Sequence, residues 1–316
     1  MNAMRLLITG GTGCLGSNLV EKFFLQGHPI CVIDNFATSK REVLPSQPGL
    51  MVVEGSVANA ELVDRTFAEF QPTHVIHSAA AYKDSLDWVE DAGTNVLGAI
   101  HVAKAAQKSK VRRFINFQTA LCYGRPSLVP ITLDQPTAPF TSYGISKTAG
   151  EAYLMQSGLP VVSLRLANIC GPRLAIGPIP IFYKRLKAGQ KCFCSDATRD
   201  FLDMSDFIAL IEKVLQLDAP TGVFNVSTGE GHSIHEVFLA VSNYLGITPP
   251  DVSIVSPGTE DVSNVVLAPD ATHRAFGWRA QVGFKETIEK QLRWYDQNGI
   301  SDTFSHIKAP NRKGFI

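Results

Sequence analysis

The chain has 316 residues, in which 29 Lys and Arg balance 29 Asp and Glu, and 45% of the residues are hydrophobic. This length predicts one large domain with a smaller partner, and the balanced charge argues against a nucleic-acid surface, which needs uncompensated positive charge. No apolar run is long enough to span a bilayer and the N-terminus has no charged leader, so we expect no membrane span and a cytoplasmic protein.

The six cysteines show neither a C-x-x-C motif nor a Cys/His pattern at metal-ligand spacing. We therefore expect reduced thiols, mostly buried as small hydrophobic side chains, and no bound metal.

The first half of the chain alternates apolar runs with amphipathic helical patterns. Such alternation predicts an α/β fold of the Rossmann type, a doubly wound parallel sheet with helices on both faces. The strands predicted after the first are 29–33, 50–54, 73–77, 112–117 and 160–166, and the helices are 14–26, 59–69, 86–108 and 141–157.

The rhythm changes after about Asn168, where prolines cluster. A strand at 223–226 and helices near 204–216, 233–246 and 284–297 indicate a smaller α/β lobe that closes over the cofactor. We predict a dinucleotide-binding domain over 1–168, a mainly substrate-binding lobe over 169–300 with segments that can return to the first domain, and a tail over 301–316.

A glycine-rich turn follows the first apolar run and precedes the first helical pattern. Gly10, Gly13 and Gly16 are spaced three apart. Glycine here permits a sharp turn, close approach of the backbone to a pyrophosphate, and helix N–H groups aimed at the anion. The turn predicts a dinucleotide site that includes Cys14 and Leu15. A tight strand-to-helix turn without any ligand is the alternative.

A carboxylate ends the second predicted strand, eighteen residues after the last glycine of this turn. Asp34 at this position accepts hydrogen bonds from the adenosine ribose hydroxyls and repels a 2′-phosphate, which predicts NAD rather than NADP. One alternative is that Asp34 and Asn35 only start a turn. Another is that the basic pair Lys40 and Arg41 receives a 2′-phosphate.

A tyrosine and a lysine stand four residues apart in the sequence YGISK, and hence on one face of a predicted helix. Lys147 beside Tyr143 is expected to lower the pKa of the phenol, and a nicotinamide cation acts in the same direction. Such a phenol can take a proton from a hydroxyl while hydride leaves the same carbon. An exposed Tyr–Lys pair without function is the alternative.

The strand upstream of this helix ends in a hydroxyl, at Thr119. In a doubly wound sheet the carboxyl ends of the strands hold the ligand, so Thr119 lies where a substrate hydroxyl can be held.

Further motifs follow in a fixed order along nearly the whole chain. They are TGGTGCLG at 9–16, DN at 34–35, HSAAA at 77–81, Asn95, Thr119 before YG at 123–124, Y-x-x-x-K at 143–147, LRLAN at 164–168, GPR at 171–173, TRDF at 198–201 and FNV at 224–226. Together they resemble the extended short-chain dehydrogenase/reductases, with the strongest likeness to the nucleotide-sugar epimerase and dehydratase branch and to the UDP-galactose 4-epimerase pattern in particular.

The resemblance implies an NAD-dependent epimerase of a nucleotide-activated sugar, a UDP-hexose inverted at carbon 4, acting in sugar-nucleotide metabolism or cell-surface polysaccharide synthesis. It implies that Thr119, Tyr143 and Lys147 are the catalytic residues. The implied cofactor-binding residues are Gly10, Gly13, Cys14, Leu15, Gly16, Asp34, Asn35, Ser56, Val57, Ala79, Ala80, Ala81, Asn95, Tyr143 and Lys147.

The resemblance also implies that Asn168 and Arg199 contact the substrate diphosphate. A guanidinium offers phosphate a planar fork of donors. The alternative for Arg199 is a salt bridge with Asp200 or Asp203. Asn225 either holds the nucleotide or caps a turn.

Two departures from the family pattern bear on the reaction and on cofactor binding, respectively. Ala120 and Leu121 stand where the 4,6-dehydratases have an aspartate and a glutamate, which disfavours a dehydratase of that type. Ser56 replaces an aspartate that usually contacts adenine. The other candidates are a nucleotide-sugar dehydratase or reductase of another subtype and a catalytically silent NAD-binding sensor, which has no need of a tuned phenol.

A homodimer is implied as well, paired through the helices at 86–108 and 141–157. The apolar and small residues of these helices can supply one face toward the sheet and a second toward a partner; they are Val96, Ile100, Ala103, Ala106, Ala149, Ala152 and Tyr153. A monomer whose helices turn only one apolar stripe inward is the alternative.

Overall fold

The computed structural model describes residues 4–249, 251–256, 258 and 261–300, so the predicted tail at 301–316 lies outside the described residues. The strands are β1 (Leu6–Thr9), β2 (Ile30–Asp34), β3 (Leu50–Glu54), β4 (His74–His77), β5 (Arg113–Thr119), β6 (Val161–Leu166), β7 (Asn168–Cys170), β8 (Phe193–Ser195), β9 (Thr198–Arg199), β10 (Phe201–Asp203), β11 (Gly222–Val226), β12 (His232–Ser233), β13 (Ser253–Val255) and β14 (Asn264–Val265). The helices are α1 (Cys14–Leu25), α2 (Ala60–Phe70), α3 (Trp88–Asp91), α4 (Gly98–Lys108), α5 (Ser142–Met155), α6 (Pro178–Lys187), α7 (Met204–Val214), α8 (Ile234–Tyr244), α9 (Asp270–Phe276) and α10 (Phe284–Asn298).

In the described part of the chain, seven strands form one parallel sheet in the order β11-β6-β5-β4-β1-β2-β3. Every carboxyl end therefore lies at the same edge. The strand order reverses between β1 and β4, which is where doubly wound sheets bind their ligands. The predicted Rossmann-type α/β fold is confirmed.

Helices cover both faces of this sheet, which explains why its central strands are apolar throughout. On one face, Leu19 of α1 and Phe207 and Leu210 of α7 join an apolar cluster with the strands. On the other face, Phe67 of α2 and Val102 of α4 do the same. A third cluster joins α6, α8 and α10 in the smaller lobe. No described helix combines the length and apolarity needed to cross a membrane.

One strand lies in a different place from that predicted. The run at 223–226 was expected in the smaller lobe, but β11 pairs with β6 and extends the main sheet, with Val226 opposite Leu166. An apolar strand of this kind needs cover on both faces, and in the main sheet Phe224 and Val226 join the apolar cluster beneath the covering helices. The chain thus returns to the first domain within 169–300, as the prediction allowed, and the domain boundaries themselves stay a prediction.

The predicted helix at 86–108 contains a π-helical turn, Ala92–Leu97, between α3 and α4. Helix α5 packs against this turn at Gly150, where an added Cβ would lie 2.3 Å from the carbonyl oxygen of Asn95. π-turns are frequent at functional sites, and this one carries Asn95, a predicted site residue. The absence of a side chain at Gly150 lets α5 approach the π-turn closely.

We expect Gly150→Ala to lower the free energy of unfolding by about 1–3 kcal/mol, the usual cost of overpacking, even though alanine favours a helix. Gly93→Ala is the matched control, because a Cβ there meets nothing within 4 Å. Chemical denaturation of both variants measures the difference. Equal effects of the two substitutions would show that the contact between α5 and the π-turn is not tight.

Candidate active site at the carboxyl edge of the sheet

The glycine turn lies between β1 and α1, and its three glycines have different roles. Gly10 has a φ of +66°, and its added Cβ would lie 2.7 Å from the backbone nitrogen of Ala79. A Cβ on Gly16 would lie 2.2 Å from the carbonyl oxygen of Gly10. A Cβ on Gly13 would meet only that oxygen, at 3.4 Å. The protein's own packing requires Gly10 and Gly16, whereas Gly13 leaves space beside the helix.

The N-terminus of α1 fits an anion. Gly13 is the N-cap residue, no described side chain caps it, and the first turn holds no acidic residue. The backbone N–H groups of the first turn therefore point toward the space beside Gly13. The thiol of Cys14 instead contacts the carbonyl oxygen of Pro172 at 3.5 Å, and burial raises its pKa to about 12. Cys14 and Leu15 thus offer the site their backbone N–H groups.

Asp34 joins this turn to the loop that follows β2. The carboxylate is buried, one oxygen accepts from Thr12 N at 2.9 Å, and the other accepts from Phe36 N at 2.9 Å. The amide oxygen of Asn35 accepts from Ala37 N at 3.2 Å. Asp34 and Asn35 therefore do start a turn, as the alternative interpretation proposed. Each carboxylate oxygen of Asp34 still has a second lone pair that can accept from a ribose hydroxyl.

Lys40 and Arg41 lie near this carboxylate, where they line a cavity of about 560 Å³. Glu42 and Glu54 line the same cavity. Two carboxylates facing the basic pair weaken the case for a 2′-phosphate there, because like charges repel.

Ser56 and Val57 lie beside Asp34 at the end of β3. Gly55 N donates to the carbonyl oxygen of Asp34 at 2.9 Å, which fixes this proximity. The hydroxyl of Ser56 accepts from Ala58 N at 3.1 Å, so it starts the turn into α2.

The loop at 79–81 is held from two sides. Ala79 N donates to the hydroxyl of Thr9 at 3.2 Å, next to the glycine turn. Ala81 N donates to Asn95 Oδ1 at 2.9 Å, and Asn95 Nδ2 donates to the carbonyl oxygen of Ala81 and to Ser146 Oγ, each at 3.0 Å. Both donors of the Asn95 amide are used inside the protein. Asn95 thus holds this loop against α5, and a role toward the cofactor stays a prediction.

The three predicted catalytic residues lie at the end of β5 and in the first half of α5. Thr141 caps this helix by accepting from Gly144 N at 3.1 Å, which places Tyr143 in the first turn and Lys147 one turn later. The side chain of Thr119, at the end of β5, lies close enough to the Tyr143 hydroxyl to lower its pKa. A hydroxyl this close to a phenol fits the predicted proton transfer from a substrate hydroxyl.

Burial sets the pKa values of this pair. It raises the pKa of Tyr143 well above its usual value, Tyr82 and Asp91 raise it further, and the nearby Thr119 hydroxyl partly opposes these effects. Burial lowers the pKa of Lys147 to about 8, and Glu151 opposes that change. The expected lowering of the phenol pKa by Lys147 is therefore wrong for the protein alone, because burial dominates. The predicted dinucleotide, when bound, would place a cationic nicotinamide ring nearby and so favour the phenolate.

Gln118 is a site residue that sequence reasoning missed. Its Nε2 donates to the carbonyl oxygen of Lys147 at 3.0 Å, and its Oε1 accepts from Thr119 N at 2.7 Å. It thereby ties the end of β5 to the middle of α5. The available signal was a polar amide inside an apolar strand, since a buried amide needs partners.

A buried polar network lies behind Lys147. Glu151 forms an ion pair with Arg165 at 2.8 Å and accepts from Ser163 Oγ at 2.6 Å. Tyr123 connects this network to Asn225, because Arg165 lies over the Tyr123 ring at 4.8 Å. Asn225 is fully buried in β11, and both expectations for it are wrong. Asn225 accepts from the Tyr123 hydroxyl at 2.8 Å and donates to a carbonyl oxygen at 2.8 Å, so it neither caps a turn nor reaches a nucleotide.

Arg199 forms an ion pair, but with a partner other than those predicted. Its Nη2 lies 2.5 Å from Asp261 Oδ1, and its Nη1 donates to the carbonyl oxygens of Thr198 and Ser263. Asp200 is wrong as the partner, because its carboxylate accepts from the residues at 228 and 229.

Asp203 is also wrong as that partner, since it pairs with Lys290 at 2.7 Å. Asn168 lies close to Arg199, because its backbone N and its Nδ2 both donate to the carbonyl oxygen of Asp200 at 3.0 Å. The two predicted substrate residues are thus neighbours in the smaller lobe.

No group of three His, Cys, Asp or Glu side chains within the described ranges is arranged to hold a metal ion. All six cysteines are free thiols.

The buried ammonium of Lys147 predicts a pH dependence of stability. Its pKa of about 8 lies below the usual 10.5, so between these values the unfolded chain keeps a proton that the folded chain has released. Stability then rises with pH across this window. We expect the unfolding free energy of the protein, relative to Lys147→Met, to increase by on the order of 3 kcal/mol from pH 8 to pH 10.5. A difference that stays constant with pH would contradict this burial.

The chain is similar to known proteins over most of its length. Residues 6–227 match the model of a family described as the NAD dependent epimerase/dehydratase family. The crystal structure of the Bordetella bronchiseptica enzyme WbmG in complex with NAD and UDP matches with a TM-score of 0.93 and 67% identity, over 98% of this chain and 100% of that chain.

Two curated relatives differ in their reactions. UDP-glucose 4-epimerase of Mycolicibacterium smegmatis is 30% identical over 313 residues, which cover 92% of this chain and 98% of the relative. dTDP-D-glucose 4,6-dehydratase of Homo sapiens is 25% identical over 320 residues, which cover 94% and 91%. These similarities agree with the fold and with the glycine turn described above.

Proposed function

Because the chain belongs to the NAD dependent epimerase/dehydratase family, we propose that it inverts carbon 4 of a UDP-hexose. It is an NAD-dependent enzyme of this family. The observation that carries the finer proposal is the proximity of Thr119 to Tyr143 one helical turn from Lys147, without acidic residues at 120 and 121. The UDP of the similar WbmG complex and the similar UDP-glucose 4-epimerase support the substrate class.

Each residue has a distinct part in this reaction. Tyr143 takes the proton of the sugar hydroxyl, and Thr119 holds the same oxygen by a hydrogen bond. Burial raises the pKa of Tyr143 in the protein alone, and the charge of Lys147 together with the cationic nicotinamide ring would offset this effect once NAD is bound. NAD, when bound at the glycine turn, supplies a reversible acceptor of hydride. Tyr143 then returns the proton once the keto-sugar has turned its other face, so no external reductant is consumed.

The smaller lobe supports binding of the nucleotide diphosphate. Arg199 is held in one orientation by Asp261 and by two carbonyl oxygens, with Asn168 beside it. A fixed guanidinium loses little side-chain entropy when it binds phosphate. We propose that these two residues bind the diphosphate of the substrate. We also propose that the enzyme acts in the cytoplasm, in sugar-nucleotide metabolism or cell-surface polysaccharide synthesis.

A dehydratase is the second candidate, since one similar protein carries that name. Elimination of water needs an acid and a base beside the keto-sugar. Positions 120 and 121, which follow Thr119, hold Ala and Leu, and Ala120 is buried. The epimerase is therefore the better-supported reaction.

We expect Tyr143→Phe to bind NAD and UDP normally and to lower kcat with UDP-hexoses by roughly 10²–10⁴-fold, the usual contribution of an acid–base group. Tyr153→Phe is the matched control, because it removes one hydroxyl from the same helix and keeps the aromatic ring that the proposed dimer face uses. Turnover of a panel of UDP-hexoses, together with binding by calorimetry, measures both effects. Near-normal kcat in Tyr143→Phe would remove this residue from the chemistry.

We propose a homodimer that uses the outer face of α4, the π-turn and α5. Leu97, Ile145 and Tyr153 are apolar and more than half exposed there, at 51%, 52% and 57%. Ala103 and Ala106 are buried within their own chain, so they belong to the inner face of this helix. The remaining apolar surface is of the kind that an isologous contact between two copies covers.

Leu97→Glu is expected to shift the particle mass to that of one chain, 34.4 kDa, because it puts a charge into an apolar contact. Leu217→Glu is the control, since Leu217 is also 51% exposed but lies outside these helices. Sedimentation at micromolar concentration distinguishes the two variants. A mass of 34.4 kDa for the unmodified protein would reject the dimer.

A further inference from the structure

An exposed apolar segment joins the loop at 79–81 to helix α3. Within it, Leu86, Trp88 and Val89 are 73%, 69% and 83% exposed, although all three side chains are large and apolar. They lie within four consecutive positions, and exposed apolar side chains that are grouped in this way mark binding surfaces, whereas scattered ones do not.

Local hydrogen bonds fix the backbone of this segment. The carboxylate of Asp84 accepts from Leu86 N, and the carboxylate of Asp87 caps α3 by accepting from Glu90 N, each at 3.0 Å. The exposed apolar side chains therefore stand on an ordered turn and helix start. A partner that binds them has little backbone to order, which lowers the entropy cost of binding.

The segment is also acidic. The exposed carboxylates of Asp84, Asp87 and Glu90 alternate with its apolar residues. The neighbouring cation, Lys83, extends toward the following loop of β2, where its Nζ lies 3.5 Å from the carbonyl oxygen of Ala37. Two copies of this segment in contact would set carboxylates against carboxylates, which repel each other. A fitting partner must therefore offer apolar and basic side chains together.

The tail at 301–316, which lies outside the described residues, has this composition. It holds one acidic residue, Asp302, beside four large apolar and three basic residues, which are Phe304, Ile307, Phe315, Ile316, Lys308, Arg312 and Lys313. Fully extended, these sixteen residues span up to ~50 Å. A compact chain of 316 residues has a radius of gyration of only ~20 Å, so the tail is long enough to reach the segment 84–90 of its own chain.

We propose that the tail at 301–316 binds the segment 84–90 of the same chain, with Trp88 as the apolar anchor and the basic side chains of the tail facing the carboxylates. Tryptophan and arginine are the residues that most often carry binding energy in interfaces. Because the tail is covalently linked, its effective concentration is in the millimolar range, and a weak contact is enough to keep it bound. The tail then covers the stretch between the loop at 79–81 and the π-turn.

Trypsin cleavage of the full chain tests this binding, because the tail offers cleavage sites at Lys308, Arg312 and Lys313 and only the unbound tail enters the protease. Mass spectrometry follows the rate of cleavage at these sites. We expect Trp88→Ser to speed it by roughly threefold to tenfold, the change for a tail that is bound ~70–90% of the time. Leu25→Ser is the matched control, since Leu25 is 80% exposed but lies at the end of α1.

A second variant tests the charge without removing the apolar anchor. Asp87→Asn combined with Glu90→Gln neutralises two carboxylates but keeps acceptors for the cap of α3 and for the Thr94 hydroxyl. We expect this double variant to speed cleavage as well, and added salt to remove its difference from the unmodified protein, because salt screens exposed charges.

Unchanged cleavage in both variants overturns the proposal. Protection of the unmodified protein that grows with protein concentration also overturns it, because the tail of a second copy would then be the occupant. So does a particle mass of 34.4 kDa in Trp88→Ser where the unmodified protein is heavier, because the segment would then belong to a contact between two copies. If Trp88→Ser fails to fold, the charge variant decides alone.

Discussion

The position of β1 between β2 and β4 in a parallel sheet is the constraint on which the site depends. Parallel pairing puts every carboxyl end at one edge, and these strands end at Thr9, Asp34 and His77. The loops that follow them are far apart in sequence, yet they surround the glycine turn. The predicted cofactor residues in these three loops, at 10–16, 34–35 and 79–81, therefore converge although they are distant in sequence.

The proposed catalytic residues depend on a second contact, the close packing of α5 on the π-turn. Gly150 permits it, and Gln118 and Asn95 fasten the helix to the end of β5 and to the loop at 79–81. The same closeness buries Lys147 and keeps its ammonium in a costly environment. Burying Lys147 beside Tyr143 therefore lowers the stability of the fold, a cost that is common at functional sites.

Periodicity and spacing were enough to predict the sheet, its helices and the glycine turn, because these features are local. The same reasoning could not say which strand β11 pairs with, since an apolar run carries no information about its neighbour. Arg199 pairs with Asp261, 62 positions away, rather than with a nearby aspartate. The pKa of Tyr143 was misjudged for a related reason: burial is a property of the folded chain, whereas the spacing to Lys147 is visible in the sequence.

The most direct test of the proposed reaction follows the hydrogen on carbon 4 of the sugar. UDP-glucose carrying deuterium at that carbon is incubated with the purified protein, without added NAD or NADH, and both sugar epimers are analysed by mass spectrometry. Internal return of hydride predicts that both epimers appear and that both keep the deuterium. Loss of the label to solvent, formation of a dehydrated sugar, or a requirement for added NADH would contradict the epimerase reaction.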